Sequence, residues 1–366
     1  MDEDEKNPGF GLKVNAGIEQ PSQINPDAID KIKRRKAVNL HSDEYLKGIV
    51  SGDRTILARA ITLVESSLDD HRKSAGQLIE KCIPYSGKSI RIGITGVPGA
   101  GKSTLIEALG KLLTLKGHKV AVLAIDPSSE ISKGSILGDK TRMEELAVDR
   151  NAFIRPSPSA GTLGGVARKT RESVLLCEAA GFDVIFIETV GVGQSETAVH
   201  SMVDFFLLVL IPGGGDELQG IKRGIMEMAD AILINKAEGE NIHRANEAKQ
   251  NYTNALHLMP PSHSGWIPLA TTCSALQNQG IPEIWDMILK YSAFTKANGY
   301  FDRRREEQDV KRMRKTLQEE LSRLFEQTEG MAELIRQAET DIQHKRVTSY
   351  SAAYNLINEF IMRTSK

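Results

Sequence analysis

The stretch Ile90-Arg-Ile-Gly-Ile-Thr-Gly96-Val97-Pro98-Gly99-Ala100-Gly101-Lys102-Ser103-Thr104-Leu-Ile-Glu-Ala-Leu109 decides the fold. Gly96 to Ser103 match the pattern G-x-x-x-x-G-K-[ST] at every fixed position. Ahead of the motif, Ile90, Ile92 and Ile94 alternate with smaller or polar residues, as in a short strand. Behind it, Thr104 to Leu113 places apolar residues at helical spacing. Gly96, Gly99 and Gly101 let the backbone turn its N–H groups inward, making a concave nest for phosphate oxygens at a helix N-terminus. Lys102 then reaches β- and γ-phosphates, and the Ser103 hydroxyl suits Mg²⁺. A glycine-rich turn that binds nothing is the plain alternative, and an unbroken match between strand and helix argues against it. The stretch implies a nucleoside triphosphate site.

Moving outward, Val120–Ile125, Val184–Ile187, Phe205–Leu210 and Ala231–Ile234 are near-continuous apolar runs. Strands of a parallel sheet buried on both faces read this way. Trp266–Ala270 is a further candidate, and Pro268 within it argues for an edge. Strand-like and helix-like segments alternate to about residue 295, so the expected fold class is α/β. It would be a doubly wound, mostly parallel P-loop sheet with its ligand at the carboxyl ends of the strands. Residues 1–37 read as a polar tail ending in the basic cluster Lys31–Lys36, more simply a solvated face than a polyanion site. Residues 38–86 read as a small helical subdomain. It has short helices around Tyr45–Val50 and Ile56–Val64, a break at Ser51–Asp53, and a third helix from Asp69 to Ile83. The nucleotide domain spans 87–295. Over 296–366, Arg303–Gln327 is a charged helix with Val310, Met313, Leu317, Leu321 and Leu324 on one face. Gly330 interrupts it before a last helical segment with Tyr350, Ala353, Leu356, Ile357 and Phe360. Such a stripe either packs on its own domain or serves as a dimer arm.

Composition excludes several classes. The 366 residues carry a net charge of −1, so no global field points to nucleic acid or an acidic membrane. No apolar run is long enough to span a membrane. Cys82, Cys177 and Cys273 form no C-x-x-C pair, which suits a reducing compartment and offers no thiolate metal site. The opening MDEDEKNPGFG is acidic and polar, unlike a secretory signal or an Arg-rich transit peptide. The expectation is a soluble, cytoplasmic protein.

The remaining parts of a nucleotide hydrolase sit at strand ends. Val184–Ile187 runs into Glu188-Thr-Val-Gly191; the carboxylate suits Mg²⁺, and the Gly191 N–H suits a γ-phosphate. Asp126 ends the strand Ala121–Ile125, and Asp139 lies in the Gly/Ser-containing loop Gly134–Arg142. Each could hold metal or cap a helix, Asp126 above all, since Pro-Ser-Ser follows it. Asn235-Lys236-Ala-Glu238 resembles the N-K-x-D guanine signature, with Glu one methylene longer in the acid position. In that signature Asn contacts the N7/O6 edge and the Lys stem lies along the base. The acid accepts from N1–H and the 2-amino group, neither of which adenine offers. Ser274-Ala275-Leu276 fits the companion S-A-[KL] loop, whose Ala275 N–H would meet the guanine oxygen.

With these parts in place, the chain resembles the MeaB/MMAA (ArgK) group of the G3E P-loop GTPases. Besides Gly96–Thr104, the resemblance is carried by Ala124–Ser129, Gly134–Met143, Arg155–Gly165, Glu188–Glu196 and Gly213–Gly224. It covers roughly Asp43 to Lys290 and, more loosely, the C-terminal helices. It implies a GTP-hydrolysing chaperone of adenosylcobalamin-dependent acyl-CoA mutases, chiefly methylmalonyl-CoA mutase, that gates cofactor delivery and limits inactivation. It also implies a homodimer formed through C-terminal helices. By the same resemblance Lys102 and Ser103 bind phosphate and Mg²⁺, and Asp126, Asp139 and Glu188 surround the metal. Gly213–Gly224 matches a third switch, in which Lys222 is placed to stabilise transition-state charge. Gln194 is a candidate to orient water. Glu238 departs from the family's usual Asp. Two other readings compete: a metal-insertion GTPase, which would carry a His-rich or Cys-clustered segment that the dispersed eight His and three Cys do not form, and an ATPase linked to basic amino-acid transport.

Overall fold

The strand that carries the phosphate loop lies at the middle of the sheet. The computed structural model describes residues 40–66, 68–126, 143–158, 163–189, 195–213 and 223–365. The expected polar tail 1–37 with its basic cluster, and Asp139, Gly191, Gln194 and Lys222, lie outside them. Three helices come first, α1 (Ser42–Val50), α2 (Arg54–Glu65) and α3 (Asp69–Cys82). Asp53 starts α2 by accepting from the N–H groups of Thr55 (2.8 Å) and Ile56 (3.1 Å), which is why the break falls at Ser51–Asp53. These helices pack on one another and on α6, defined below.

Then β1 (Ile90–Gly96), α4 (Lys102–Leu115) and β2 (Val120–Asp126) follow, with α5 (Glu144–Val148), β3 (Ala152–Pro158) and α6 (Leu163–Ala179) after them. Next come β4 (Val184–Thr189), α7 (Ser195–His200), β5 (Phe205–Leu210), α8 (Arg223–Met228) and β6 (Ala231–Ile234). The chain closes with α9 (Asn241–His257), β7 (Leu269–Thr272), α10 (Ile281–Ala297), α11 (Tyr300–Gln327), α12 (Met331–Gln343) and α13 (Ser349–Thr364). The seven strands form one sheet in the order β3-β2-β4-β1-β5-β6-β7, and every pairing is parallel. The α/β, doubly wound reading therefore holds.

Both faces of the sheet are covered. Phe205, Leu207 and Val209 of β5 join Ile92, Ile94, Leu105, Leu109, Ile284 and Ile288 in one core against α4 and α10. Their neighbours Leu208 and Leu210 face the other way, with Ile232, Ile234, Ala245 and Tyr252 against α9. Alternate residues of one strand thus serve two cores, so the runs had to be apolar throughout. Each fully buried Leu or Ile contributes roughly 1.5–3 kcal/mol relative to leaving it in water.

β7 lies at one edge, as Pro268 argues, but its bounds and the opposite edge differ from expectation. The strand expected at Trp266–Ala270 begins instead at Leu269, just after Pro268, and Trp266 donates its indole N–H to the Asp230 carbonyl (3.0 Å). β3 was not foreseen as a strand, because Pro156 and Pro158 interrupt its pattern; among the described residues it pairs with β2 alone, and an edge tolerates residues without an N–H. Gly330, at φ +78°, separates α11 from two further helices where one was expected. Within Ser42–Lys366, a single compact unit, the stripe Val310, Met313, Leu317, Leu321 and Leu324 is about half exposed. No helix among the described residues is long and apolar enough to cross a membrane.

Candidate nucleotide site

The site forms where strands end. β1 runs into Gly96, β4 ends one residue after Glu188, β6 ends just before Asn235, and β7 ends just before Cys273–Leu276. Parallel pairing sets Ile94 beside Glu188 on one flank and Gly96 beside Val209 on the other. The loop can pass this closely because residue 96 has no side chain. A Cβ there would stand 1.9 Å from the Val209 carbonyl oxygen, and φ is +148°. Gly99 (φ +77°) and Gly101 (φ +84°) complete the turn, and Gly101 caps α4. Pro98, Gly99 and Thr104 are exposed, while Val97 and Ser103 are half-buried.

Lys102 is buried and directs its ammonium back across the loop to the carbonyl oxygens of Gly96 (3.0 Å) and Val97 (3.2 Å). The Ser103 hydroxyl donates to Glu188 Oε1 at 2.9 Å. A hydroxyl and a carboxylate oxygen meeting beside the helix N-terminus are the hard oxygen donors that Mg²⁺ takes. Thr189, next in β4, donates to Thr95 Oγ1 (2.9 Å), locking β4 to β1 beneath the loop. Asp126 is the last residue of β2, whose Ala124 pairs with Glu188.

The base loops are joined to the phosphate loop through one side chain. Asn235, 2% exposed, donates through Nδ2 to the Ala100 carbonyl (2.8 Å). Its Oδ1 accepts from the Ala275 N–H (3.0 Å) and the Cys273 thiol (3.3 Å). Burial, helped by the Glu238 charge, pushes that thiol up to about 12, so it remains an S–H donor. The Ala275 N–H, expected on the guanine oxygen, is thus engaged by Asn235. Gly101 must be glycine here too, since a Cβ would lie 2.6 Å from Asn235 Nδ2. This clamp was not foreseen, because nothing in the order of residues says which loops one amide will bridge.

Lys236 adopts φ +62°, a left-handed conformation that costs a residue with a Cβ about 1–2 kcal/mol. The Ala237 N–H to Cys273 carbonyl bond (3.0 Å) holds it there, leaving the Lys236 side chain exposed. Glu238 Oε2 is buried and has no hydrogen-bond partner among the described residues. A buried acceptor left so is costly, and the two N–H groups on the guanine edge are donors of the right kind. Ser274 Oγ accepts from the Gln277 N–H (3.1 Å) and shapes the turn, while Leu276 is exposed.

A phosphate-loop motif at the centre of a parallel α/β sheet, with loops resembling the guanine signature after β6 and β7, is the arrangement of a P-loop GTPase. The model of one such family, described as "Methylmalonyl Co-A mutase-associated GTPase MeaB", matches residues 57–330. The chain belongs to this MeaB family. A Caulobacter vibrioides protein described as a GTPase is 54% identical over 321 residues, covering 88% of this chain and 98% of that protein. A Mus musculus protein described as "Methylmalonic aciduria type A homolog, mitochondrial" is 45% identical, over 88% of this chain and 80% of its own length. Among solved structures, an "LAO/AO transport system kinase" superposes with a TM-score of 0.69 at 40% identity, covering 88% of this chain and 97% of that one.

Proposed function

We propose that this GTPase is a chaperone of an adenosylcobalamin-dependent acyl-CoA mutase, methylmalonyl-CoA mutase or a close relative. It gates cofactor loading and protects the mutase from inactivation. The observation that carries the reading is the family match across 57–330, supported by the Ser103–Glu188 hydrogen bond beside the phosphate-loop motif. In this reading Ser103 and Glu188, with Asp126 and Asp139, hold Mg²⁺, which neutralises phosphate charge when bound. Asn235, Lys236, Glu238 and Ser274–Leu276 hold the guanine. Gly191 senses the γ-phosphate, Gln194 orients water, and Lys222 stabilises the charge that develops on transfer.

The half-exposed stripe on α11 supports a homodimer built on the C-terminal helices. The division into helical segment 38–86, GTPase domain 87–295 and C-terminal region 296–366 goes with this reading.

The test is GTP turnover with and without methylmalonyl-CoA mutase, with an isobutyryl-type mutase as control. Stimulation by one mutase supports the reading, and an unchanged rate with both overturns it. Lys222→Ala should keep the basal rate and lose the stimulation; an unaltered stimulated rate removes Lys222 from the mechanism.

A further inference from the structure

At the opposite end of the sheet from the phosphate loop lies a cavity of about 540 Å³. Its walls come from the start of β1, from α6, from the turn after α7 and from α11. The volume falls within the range of small-molecule sites. We propose that it is an anion site in which Arg171 and Arg312 take the oxyanion of a partly apolar organic phosphate or carboxylate.

The charges around this cavity are unevenly shared out. Arg91 is engaged by Glu178 through both Nε (2.9 Å) and Nη2 (3.0 Å). Arg305 is engaged by Asp204, again through two bonds (2.8 and 2.7 Å). An adjoining cavity shares Arg312 and Thr316 with the first. There Glu320 already serves three arginines, Arg72 (3.4 Å), Arg168 (3.5 Å) and Arg323 (2.9 Å). Arg171 and Arg312 are left out of these pairings, with longer-range attraction to Arg312 from the part-buried Glu172 and to Arg171 from Glu319 and Asp309. Among the described residues, no carboxylate stands within ion-pair distance of either. Among the described residues Arg171 bonds to Ser201, through its carbonyl (3.4 Å) and hydroxyl oxygens.

Like charges held together in a part-buried seam favour a counter-anion. The guanidinium of Arg171 is held below its ordinary proton affinity, first by burial and then by the Arg312 charge, with Glu319 and Asp309 opposing. Asp309 lines the cavity without ion-pairing to either arginine. Two guanidinium forks suit the planar or tetrahedral oxygens of carboxylate or phosphate. Beside them the buried Val174 and Met202, with Met313 at the mouth, give the site an apolar wall. That wall favours an anion carried on a short hydrocarbon body over a bare ion.

The test uses the full chain saturated with GDP and Mg²⁺, so that the phosphate loop cannot compete. Hexyl phosphate, hexanoate and inorganic phosphate are titrated calorimetrically. Saturable binding of hexyl phosphate or hexanoate is expected, about tenfold or more tighter than inorganic phosphate. The tighter of the two organic anions assigns the headgroup. Arg312→Gln should weaken it at least about tenfold, the loss of one charged hydrogen bond, and Arg312→Lys should weaken it less. Unchanged GDP affinity shows that the variants fold. Absence of saturable binding by both organic anions, or undiminished binding in Arg312→Gln, overturns the proposal.

Discussion

Replacing Asn235 by Ala tests whether this residue is a clamp or only a reader of the base. The substitution removes the donor to the Ala100 carbonyl and the acceptor of the Ala275 N–H, both buried. It also removes the weaker acceptor of the Cys273 thiol. Each of the two buried backbone groups left unpaired costs about 1–3 kcal/mol. Partial relaxation brings the total to about 3–4 kcal/mol. Some of this appears as lower stability and the rest as weaker ligand binding. A residue that only reads guanine would leave binding of tripolyphosphate, which has no base, untouched. A clamp positions Ala100 inside the phosphate loop, so tripolyphosphate should also bind weakly, by about tenfold or more. Affinities for GTP, GDP and tripolyphosphate by calorimetry, with a thermal melt of each protein, give the comparison. Tripolyphosphate affinity within twofold of the parent, alongside a large loss for GTP, would refute the clamp.

Glu238→Ala should lower GTP affinity by about 10- to 100-fold, the loss of one charged hydrogen bond or two weaker ones, while leaving tripolyphosphate unchanged. Competition by ATP and GTP reads this out, and equal competition by ATP against the parent protein would remove the guanine assignment. Gly96→Ala forces a methyl into the Val209 carbonyl, so a melting temperature lowered by 10 °C or more, or failure to fold, is expected; a normal melt contradicts the close approach of β1 and β5. His200 is held down to about 4 from 6.5, by burial first and then by the charges of Arg304 and Lys311. The unfolded chain therefore binds the proton first, and the fold loses stability as pH falls from 6.5 towards 4, by at most about 3 kcal/mol. Asp230, pushed up to about 6 by burial against the pull of Arg304, works the other way over part of that window. The difference between the parent and His200→Gln in urea melts from pH 7 to 4.5 isolates the histidine. A constant difference across that range would contradict its buried, neutral state.

The central sheet was legible because burial on both faces forces unbroken apolar runs, and β2, β4, β5 and β6 begin where the runs do. The edge strand β3 was not, since Pro156 and Pro158 are tolerated only where one side needs no partner, and edge position is a property of the assembled sheet. The extra helix α12 is different: Met331, Leu334, Ile335, Ala338 and Ile342 recur at helical spacing, so its pattern was there to be read, and only its packing on α11 and α13 needed the tertiary structure. The motifs that single out Lys102, Ser103, Glu188, Asn235 and Glu238 were readable in the sequence, but the atoms these side chains bond to were not. The Asn235 amide could have faced the base alone, and only the convergence of the β1 and β7 loops on it makes it a clamp.

By itself the sequence determined that a phosphate loop follows a buried strand, and that the chemistry gathers at strand ends. Local spacing suffices for that, because a nest of backbone N–H groups is made by neighbouring residues. Tertiary structure alone decided the left-handed Lys236, the crowding that demands Gly96 and Gly101, and the uneven sharing of acids among the arginines between α6 and α11. Each of these depends on residues far apart in the chain being pressed within a few ångströms, which no one-dimensional pattern records.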